Sequence, residues 1–560
     1  MNFLIELFNY SKIHFEKKFF IIFTLVLISA LLDFFAIISF IPIINILFPD
    51  TMSGSERILE FYLRFFDLLN INYNAVSLSL LIILIFFLVK LIEFFSEYYS
   101  LILTQNVKYK LQKEFLFKLK KSFLGYFVNI RIGEITNLYN REIHFVAESY
   151  RLLLIIIARL IIFFLLLIFL LINESLLTFS TLILTFLLIL SMKKFYNIIE
   201  NNANDLINEQ KKVSSSFTFF INNIFSIKNT IYQDSHINEI KDQTENWIKY
   251  LIKNIRYKLI VSSFIEPIFI IMIIFSIFII FQIQSVIPAN YLINLGILLR
   301  FARHFLSIQN SYIKILNWKR YVKSKKFHDK LLEDFLDDQA NQKENISEIS
   351  EILIEKLNIS YEDKTIIKNF NIKLEVPFCL KIDGKNGSGK TTLVRAIMGL
   401  IKLDNGNIKF NKSDINQLDK KTLSNKVCIL DKNPLIIKGS FLDNIKFNPK
   451  STPNKKEIIN FIKLFDLSDI FNENNLEDKI IEEEGKNLSQ GQMQKISVIR
   501  SLVNQYEVLI LDEGLSNIDE NNEKKIMKYL IQLYDEKKMN LIFISHKTNF
   551  DNYFKQKVSL

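Results

Sequence analysis

The amino-acid sequence predicts two parts in series, an α-helical transmembrane bundle and then a soluble α/β domain. Three observations carry this. Half of the 560 residues are hydrophobic and Phe alone supplies 52, a composition too apolar for disorder and unusual for a soluble chain of this length. The apolar residues concentrate in the first 310 positions, in runs close to the roughly 20 residues that a spanning helix needs. From residue 351 onward the composition is mixed, and strand-like and helical patterns alternate around a glycine-rich loop.

Six runs define the membrane half: residues 19–48, 76–103, 152–172, 176–192, 259–282 and 286–308. The first is too long for a cleavable signal and is followed by no small-residue cleavage site. Runs three and four are separated only by Asn173, Glu174 and Ser175, and five and six by a few residues around Gln284. The connections from two to three and from four to five are long and dense in Lys and Arg, from Lys108 to Arg141 and from Lys193 to Lys258. Basic residues mark the cytoplasmic side. Both long connections and both chain ends are therefore expected inside, in a multi-pass protein of the inner (cytoplasmic) membrane. The same bias accounts for the net charge of +11, so no nucleic-acid partner is needed.

Apolar residues at helical spacing in the long connections predict cytoplasmic extensions of the membrane helices, closed by crosswise elements at 132–140 and 223–233. After Pro49 and Asp50, residues 58–71 alternate apolar and charged positions at helical spacing. They predict an amphipathic helix outside, lying on the membrane or on the bundle. A charged stretch then reads as a linker or solvated helix, giving a transmembrane domain at 1–320, a linker at 321–350 and the soluble domain at 351–560. The two cysteines, Cys379 and Cys428, form no disulfide framework and no CxxC pair for zinc.

The chemistry begins at GKNGSGKT: Gly384, Lys385, Asn386, Gly387, Ser388, Gly389, Lys390 and Thr391, with Thr392 next. Strand-like FCLKID precedes it and helix-like TTLVRAIMGL follows. In that setting it is a phosphate-binding loop, and the soluble part is an α/β P-loop NTPase domain. Gly384, Gly387 and Gly389 let successive N–H groups turn onto an anion, and the helix starting near Lys390 aims its positive end at it. Lys390 offers a charge to the β- and γ-phosphates, and Thr391 a hydroxyl to Mg²⁺. The buried strand VLILDE ends in two carboxylates: Asp512, placed to hold Mg²⁺ through water, and Glu513, placed to take a proton from attacking water. ATP and Mg²⁺ are the expected ligands.

Leu488, Ser489, Gln490, Gly491 and Gln492 match the LSxGQ signature of ATP-binding-cassette (ABC) proteins. With the six apolar runs, nearly the whole chain resembles an ABC exporter, a six-helix membrane half joined to a cassette. The resemblance implies an ATP hydrolase coupled to transport, in which two cassettes clamp two ATP molecules. Ser489, Gly491 and Gln492 then contact the nucleotide held by the partner, which is a second copy in a homodimer or a paralogous half-transporter. It also implies that Tyr361 stacks on adenine, that residues 516–519 form a dimer-contact loop and that His546 contacts the γ-phosphate. One position departs from the family: Lys432 stands where the resemblance calls for Gln. A Lys cannot accept a hydrogen bond or lend a carbonyl oxygen to Mg²⁺, so that contact does not carry over.

For the cargo, about 18 residues precede the first run, and the cysteine-peptidase domain of peptide-processing exporters is not expected. The segment LLDFFAIISFIPIINILF, the external amphipathic helix and Arg300 resemble the lipid-linked oligosaccharide flippases, although those carry Pro where this chain has Arg303. Asp33, Lys90, Glu93, Arg159, Glu266, Arg300 and Arg303 lie in or beside membrane runs. Facing lipid, each would cost roughly 2.5–3.5 kcal/mol, so they are expected to line a cavity or to pair. Arg159, Arg300 and Arg303 are the candidates to hold a diphosphate head group. The leading expectation is ATP-driven flipping or export of an amphipathic, lipid-linked oligosaccharide. The alternatives are export of drugs, lipids or small peptides and, from another class, a non-hydrolysing ATP-binding regulatory membrane protein.

Overall fold

The protein is described by a computed structural model. It covers residues 2–560 apart from 13–17, 48–55, 69, 125, 128, 129, 131, 174, 230–232, 265, 266, 272, 273, 276, 277, 279–281, 283–289, 335–343, 362, 363, 386, 447–453 and 546–549. The chain forms two compact units. One comprises Met1–Lys120 with Ile130–Glu333, the other Lys121–Asn129 with Asp334–Leu560.

Among the described residues, the first unit is helical apart from short turns. Its helices are α1 (Asn2–Lys12), α2 (Lys18–Ile38), α3 (Phe40–Leu47), α4 (Glu56–Leu68), α5 (Ala75–Lys121), α6 (Ile132–Asn137), α7 (Ile143–Asn173), α8 (Ser175–Asn222), α9 (Ile224–Lys228), α10 (Gln233–Ser263) and α11 (Asn290–Asp334). At 1.5 Å per residue, α5 and α8 are about 70 Å long, more than twice the hydrocarbon thickness; the basic connections are their helical extensions, as expected. Among the described residues, Ala75–Lys121 and Gly133–Ile168 contain windows apolar and long enough to cross a membrane.

Three details differ from the sequence-based expectation. The first run is broken at Ser39, whose hydroxyl donates to the Phe35 carbonyl at 2.8 Å and meets the Tyr62 hydroxyl at 2.5 Å. Pro42 follows in the first turn of α3, where its missing N–H is tolerated. Tyr62 and Phe66 bring α4 into the core formed with Leu78, Ile162 and Phe301, so the amphipathic helix packs on the bundle, one of the two placements expected for it. Second, the crosswise element expected at 132–140 is absent there. Residues 132–137 run through a π-helical turn, Leu138–Glu142, directly into α7, because no breaker separates them. The other, at 223–233, contains the short helix α9. Third, of the linker or solvated helix expected from residue 321, the part as far as Asp334 is helix continuous with α11 and is partly buried rather than solvated. Its charges conceal a buried stripe of Tyr321, Val322 and Leu332, and the buried Lys325 ammonium bonds Asp329 at 2.5 Å on the next turn.

The second unit is a two-sheet α/β domain. Strands β1 (Glu351–Tyr361), β2 (Lys364–Glu375), β4 (Asn405–Phe410) and β5 (Ser413–Asp414) form an antiparallel sheet in the order β2-β1-β4-β5. Strands β3 (Cys379–Asp383), β6 (Val427–Asp431), β7 (Val508–Asp512), β8 (Asn540–Ile544) and β9 (Gln556–Ser559) form a parallel sheet in the order β6-β7-β8-β3-β9. Both faces of the parallel sheet are covered, so its strands read as continuous apolar runs. Val508 and Ile510 enter one core cluster, and Leu509 and Leu511 the other. Lys121–Asn129 belongs to this unit. Leu124 N–H donates to the Leu400 carbonyl at 2.8 Å, the Lys420 ammonium lies 4.2 Å from the centre of the Phe123 ring, and Tyr126 is fully buried.

Tyr62→Phe should destabilise the helical unit by about 1 kcal/mol, the worth of one buried hydrogen bond. Ser39→Ala should cost a similar amount or more, and the double variant less than the sum. Thermal midpoints of the purified protein in detergent measure this.

Candidate functional site

The phosphate loop joins β3 to α12 (Lys390–Ile397). Gly387 has φ +81° and Gly389 φ +100°, and Gly389 caps the helix. These left-handed conformations curl the loop around the helix N-terminus, where backbone donors and the helix dipole favour an anion. The Lys390 ammonium folds onto the loop and donates to the carbonyls of Gly384 (2.7 Å) and Lys385 (3.0 Å). Ser388 Oγ is buried with no hydrogen-bond partner among the described residues, an orphaned polar atom of the kind a bound ligand satisfies.

A cavity of about 600 Å³ opens in front of this loop, lined by Lys390, Thr391, Thr392, Arg395, Asp512 and Glu513 among others. Mg²⁺ fits this donor set, with a hydroxyl on Thr391 and a carboxylate on Asp512 facing one space. Glu513 has φ +55°, a strained conformation for a non-glycine residue that costs roughly 1–3 kcal/mol and recurs at functional sites. Its N–H bonds the Ile544 carbonyl at 3.2 Å, so neighbouring strand β8 holds the strained turn.

Residues outside the phosphate-loop and VLILDE motifs complete the wall or brace it. Asp431, the last residue of β6, lies in register with Asp512 and lines the same cavity. Burial, and next the neighbouring Asp512 charge, raise its carboxyl above the usual range. Lys432 does reach the site: its ammonium is 3.6 Å from Glu513 Oε2. Gln494, fully buried, donates from Nε2 to the Lys432 carbonyl at 2.8 Å and accepts the Asn517 N–H at 3.0 Å.

The signature opens α13 (Gln490–Val503). Ser489 is its N-cap and forms a reciprocal capping box with Gln492: Gln492 N–H donates to Ser489 Oγ at 3.2 Å, and Ser489 N–H to Gln492 Oε1 at 2.7 Å. Ser489, Gly491 and Gln492 do not line the cavity of their own chain. Tyr361 ends β1, its backbone paired with Lys364; its side chain, Asn386 and His546 lie outside the described residues.

In the helical unit a second cavity, about 570 Å³, is lined by Arg159, Arg303, Arg151, Lys314, Glu93 and Glu97 together with several serines. Arg159 Nη1 lies 3.1 Å from His304 Nδ1, and Lys90 pairs with Glu93 at 2.7 Å. Arg300 does not join them; its guanidinium lies 5.4 Å from the centre of the Phe86 ring, a cation–π contact. Of the three arginines expected at a cargo site, the structure brings two together. The Asp33 side chain and Glu266 lie outside the described residues.

Comparisons with known proteins agree with both units. The ABC transporter transmembrane region family matches residues 19–293, and the ABC transporter family matches residues 367–516. The chain is 30% identical to the lactococcin-G-processing and transport ATP-binding protein LagD of Lactococcus lactis over 37% of its own length and 30% of LagD's. It is 34% identical to the multidrug resistance-like ATP-binding protein MdlB of Buchnera aphidicola, over 33% of this chain and 31% of MdlB. A longer match, 25% identical, joins 84% of this chain to 68% of the sublancin-168-processing and transport ATP-binding protein SunT of Bacillus subtilis. The chain thus spans about a third of the length of the first curated relatives it matches. The structure of a bacterial Atm1-family ABC exporter with ATP bound superposes with a TM-score of 0.76 at 15% identity, over 94% of this chain and 90% of that one, which establishes the exporter fold.

The two loop glycines should differ in sensitivity. An added Cβ at Gly389 would lie 2.8 Å from Ile366 Cγ2, whereas at Gly387 it meets nothing within 4 Å. Gly389→Ala should weaken ATP binding at least about tenfold. Gly387→Ala carries only left-handed backbone strain of roughly 1–2 kcal/mol and should weaken it less. Equilibrium ATP binding to the two variants checks the order.

Proposed function

We propose that this chain, which carries the transmembrane region and the cassette of an ABC transporter, is an ATP-driven exporter working as a dimer. The observation that carries the reading is the single cavity into which Lys390, Thr391, Asp512 and Glu513 converge. Polyphosphate entering it takes the loop N–H groups and the Lys390 ammonium, which turns from the Gly384 and Lys385 carbonyls to the phosphates. Thr391 and Asp512 would hold Mg²⁺, which would supply charge neutralisation to the phosphates. Glu513 orients the attacking water and accepts its proton. Ser489, Gly491 and Gln492 do not line this cavity and lie at a capped helix N-terminus, an arrangement suited to the γ-phosphate held by a partner. A homodimer would present two such composite sites; a paralogous half-transporter would present a mixed pair.

The polar cavity of the helical unit is the cargo site in this reading. Its arginines and lysine outnumber its acids, which suits an amphiphile bearing an anionic group. The names of the relatives concern peptides and multidrug resistance and favour a small peptide or drug-like cargo. No relative named above supports a lipid-linked oligosaccharide. In a cell the protein would sit in the cytoplasmic membrane with its cassette inside.

Glu513→Gln should lower ATP turnover at least about a hundredfold while ATP stays bound, because an amide cannot take the water's proton. Lys390→Ala should weaken binding itself. ATPase and nucleotide-retention assays on protein in lipid measure both, and retained turnover in Glu513→Gln would remove Glu513 as base.

Arg303→Gln should raise the cargo concentration for half-maximal transport about tenfold, the worth of one charged hydrogen bond, with ATP affinity unmoved. Uptake of acidic and neutral amphipathic peptides into inverted proteoliposomes reads this out. Equal transport of both peptides by both proteins would dismiss the anionic-cargo assignment.

A further inference from the structure

Lys432 sits where two demands compete for one positive charge. Its side chain is 58% exposed, and its ammonium lies 3.6 Å from the Glu513 carboxylate. Its backbone is pinned, because the buried Gln494 amide holds the Lys432 carbonyl on one side and the Asn517 N–H on the other. The cavity that both side chains line carries three cations, Lys390, Arg395 and Lys432, against three acids, Asp431, Asp512 and Glu513. Without Lys432 the acids would prevail and the space would repel an incoming polyphosphate. With it, the charges balance, but the ammonium is engaged by the one carboxylate that hydrolysis needs unencumbered.

We propose that Lys432 is a nucleotide-responsive positioning residue: with the site empty its ammonium holds Glu513, and on arrival of a polyphosphate it passes to the phosphate and releases Glu513. The exchange is favourable because a polyphosphate in the shared cavity offers several negative charges where Glu513 offers one. The pinned backbone keeps the root of the side chain fixed while its head moves between the two anions. Lysine suits this use, being a compact charge on a flexible stem. The resting pair is partly exposed and hence weak, so the transfer meets little resistance. A further consequence is that Lys432 contributes to phosphate binding when no metal is present.

The inference rests on the reading that this cassette binds and hydrolyses ATP, and the test separates the two. Full-length protein in lipid nanodiscs is titrated with ATP in EDTA and again with Mg²⁺, as wild type, Lys432→Gln, Lys432→Arg, Glu513→Gln and the double variant Lys432→Gln/Glu513→Gln. In EDTA, Lys432→Gln should bind ATP about three- to tenfold more weakly than wild type, the worth of one charge-assisted contact, and Lys432→Arg within about twofold of it. Glu513→Gln frees the ammonium, so it should bind metal-free ATP more tightly than wild type. Loss of Lys432 should then cost more in the Glu513→Gln background than in the native one. With Mg²⁺ the difference between wild type and Lys432→Gln should narrow. If Lys432→Gln and wild type bound metal-free ATP equally, the role of Lys432 would be refuted while hydrolysis by wild type still stood. An identical loss in both Glu513 backgrounds would refute the hand-over, since the ammonium would then not be shared. Failure of wild type to bind ATP even with Mg²⁺ would overturn both readings.

Discussion

Strands β6 and β7 are parallel and in register over five residues, from Val427 opposite Val508 to Asp431 opposite Asp512, and the chemistry of the cassette depends on that alignment. A slip of one residue would exchange the two faces of the strand and drive its core residues out of their clusters, so the apolar residues enforce it. Two consecutive polar pairs, Asp431-Lys432 and Asp512-Glu513, are thereby delivered to the carboxyl end of the sheet, beside the phosphate loop that leaves β3. Ligand sites of open α/β sheets lie at this end. Crowding three acids there is tolerable only with compensating charge, which Lys390, Arg395 and Lys432 supply.

A similar constraint shapes the helical unit. Charges in an apolar bundle persist when they face one another or a polar space, and Arg159, His304, Lys90 and Glu93 follow that rule. Arg300 and Arg303 are three residues apart on one helix yet have different surroundings. Arg300 is taken by an aromatic face, while Arg303 opens onto the cavity.

Motifs whose geometry is local to the chain are legible in the amino-acid sequence alone. The phosphate loop, the VLILDE strand and the signature each contain their own turn, strand or cap; Ser489 and Gln492 form the helix-opening box that their spacing announces. Contributions that depend on register are not legible in this way. Asp431 and Gln494 gain meaning only when β6 lies beside β7 and α13 packs beneath both loops. A signal for Asp431 is nonetheless present, since VCILD and VLILD are near copies that end in the same acid. The break at Ser39 escapes because a buried hydroxyl inside an apolar run leaves no trace in hydropathy. The burial of one face of the helix to Asp334 escapes because composition averages away a narrow apolar stripe. Cargo chemistry lies furthest from reach, as it depends on which of several charges share one cavity.

The nine residues Lys121–Asn129 belong with the cassette although more than 200 residues of helical chain intervene. As a folded body the cassette is therefore discontinuous in sequence. A fragment cut at the apparent junction near residue 334 would lack Phe123, Leu124 and Tyr126, so the Leu400 carbonyl would lose its donor and Lys420 the ring it lies over. The surface uncovered is an internal seam of the native domain, already shaped for an apolar occupant. Such a fragment would be prone to self-association there, and supplying Lys121–Asn129 in trans, or stitching it back as an insertion, would mend the seam.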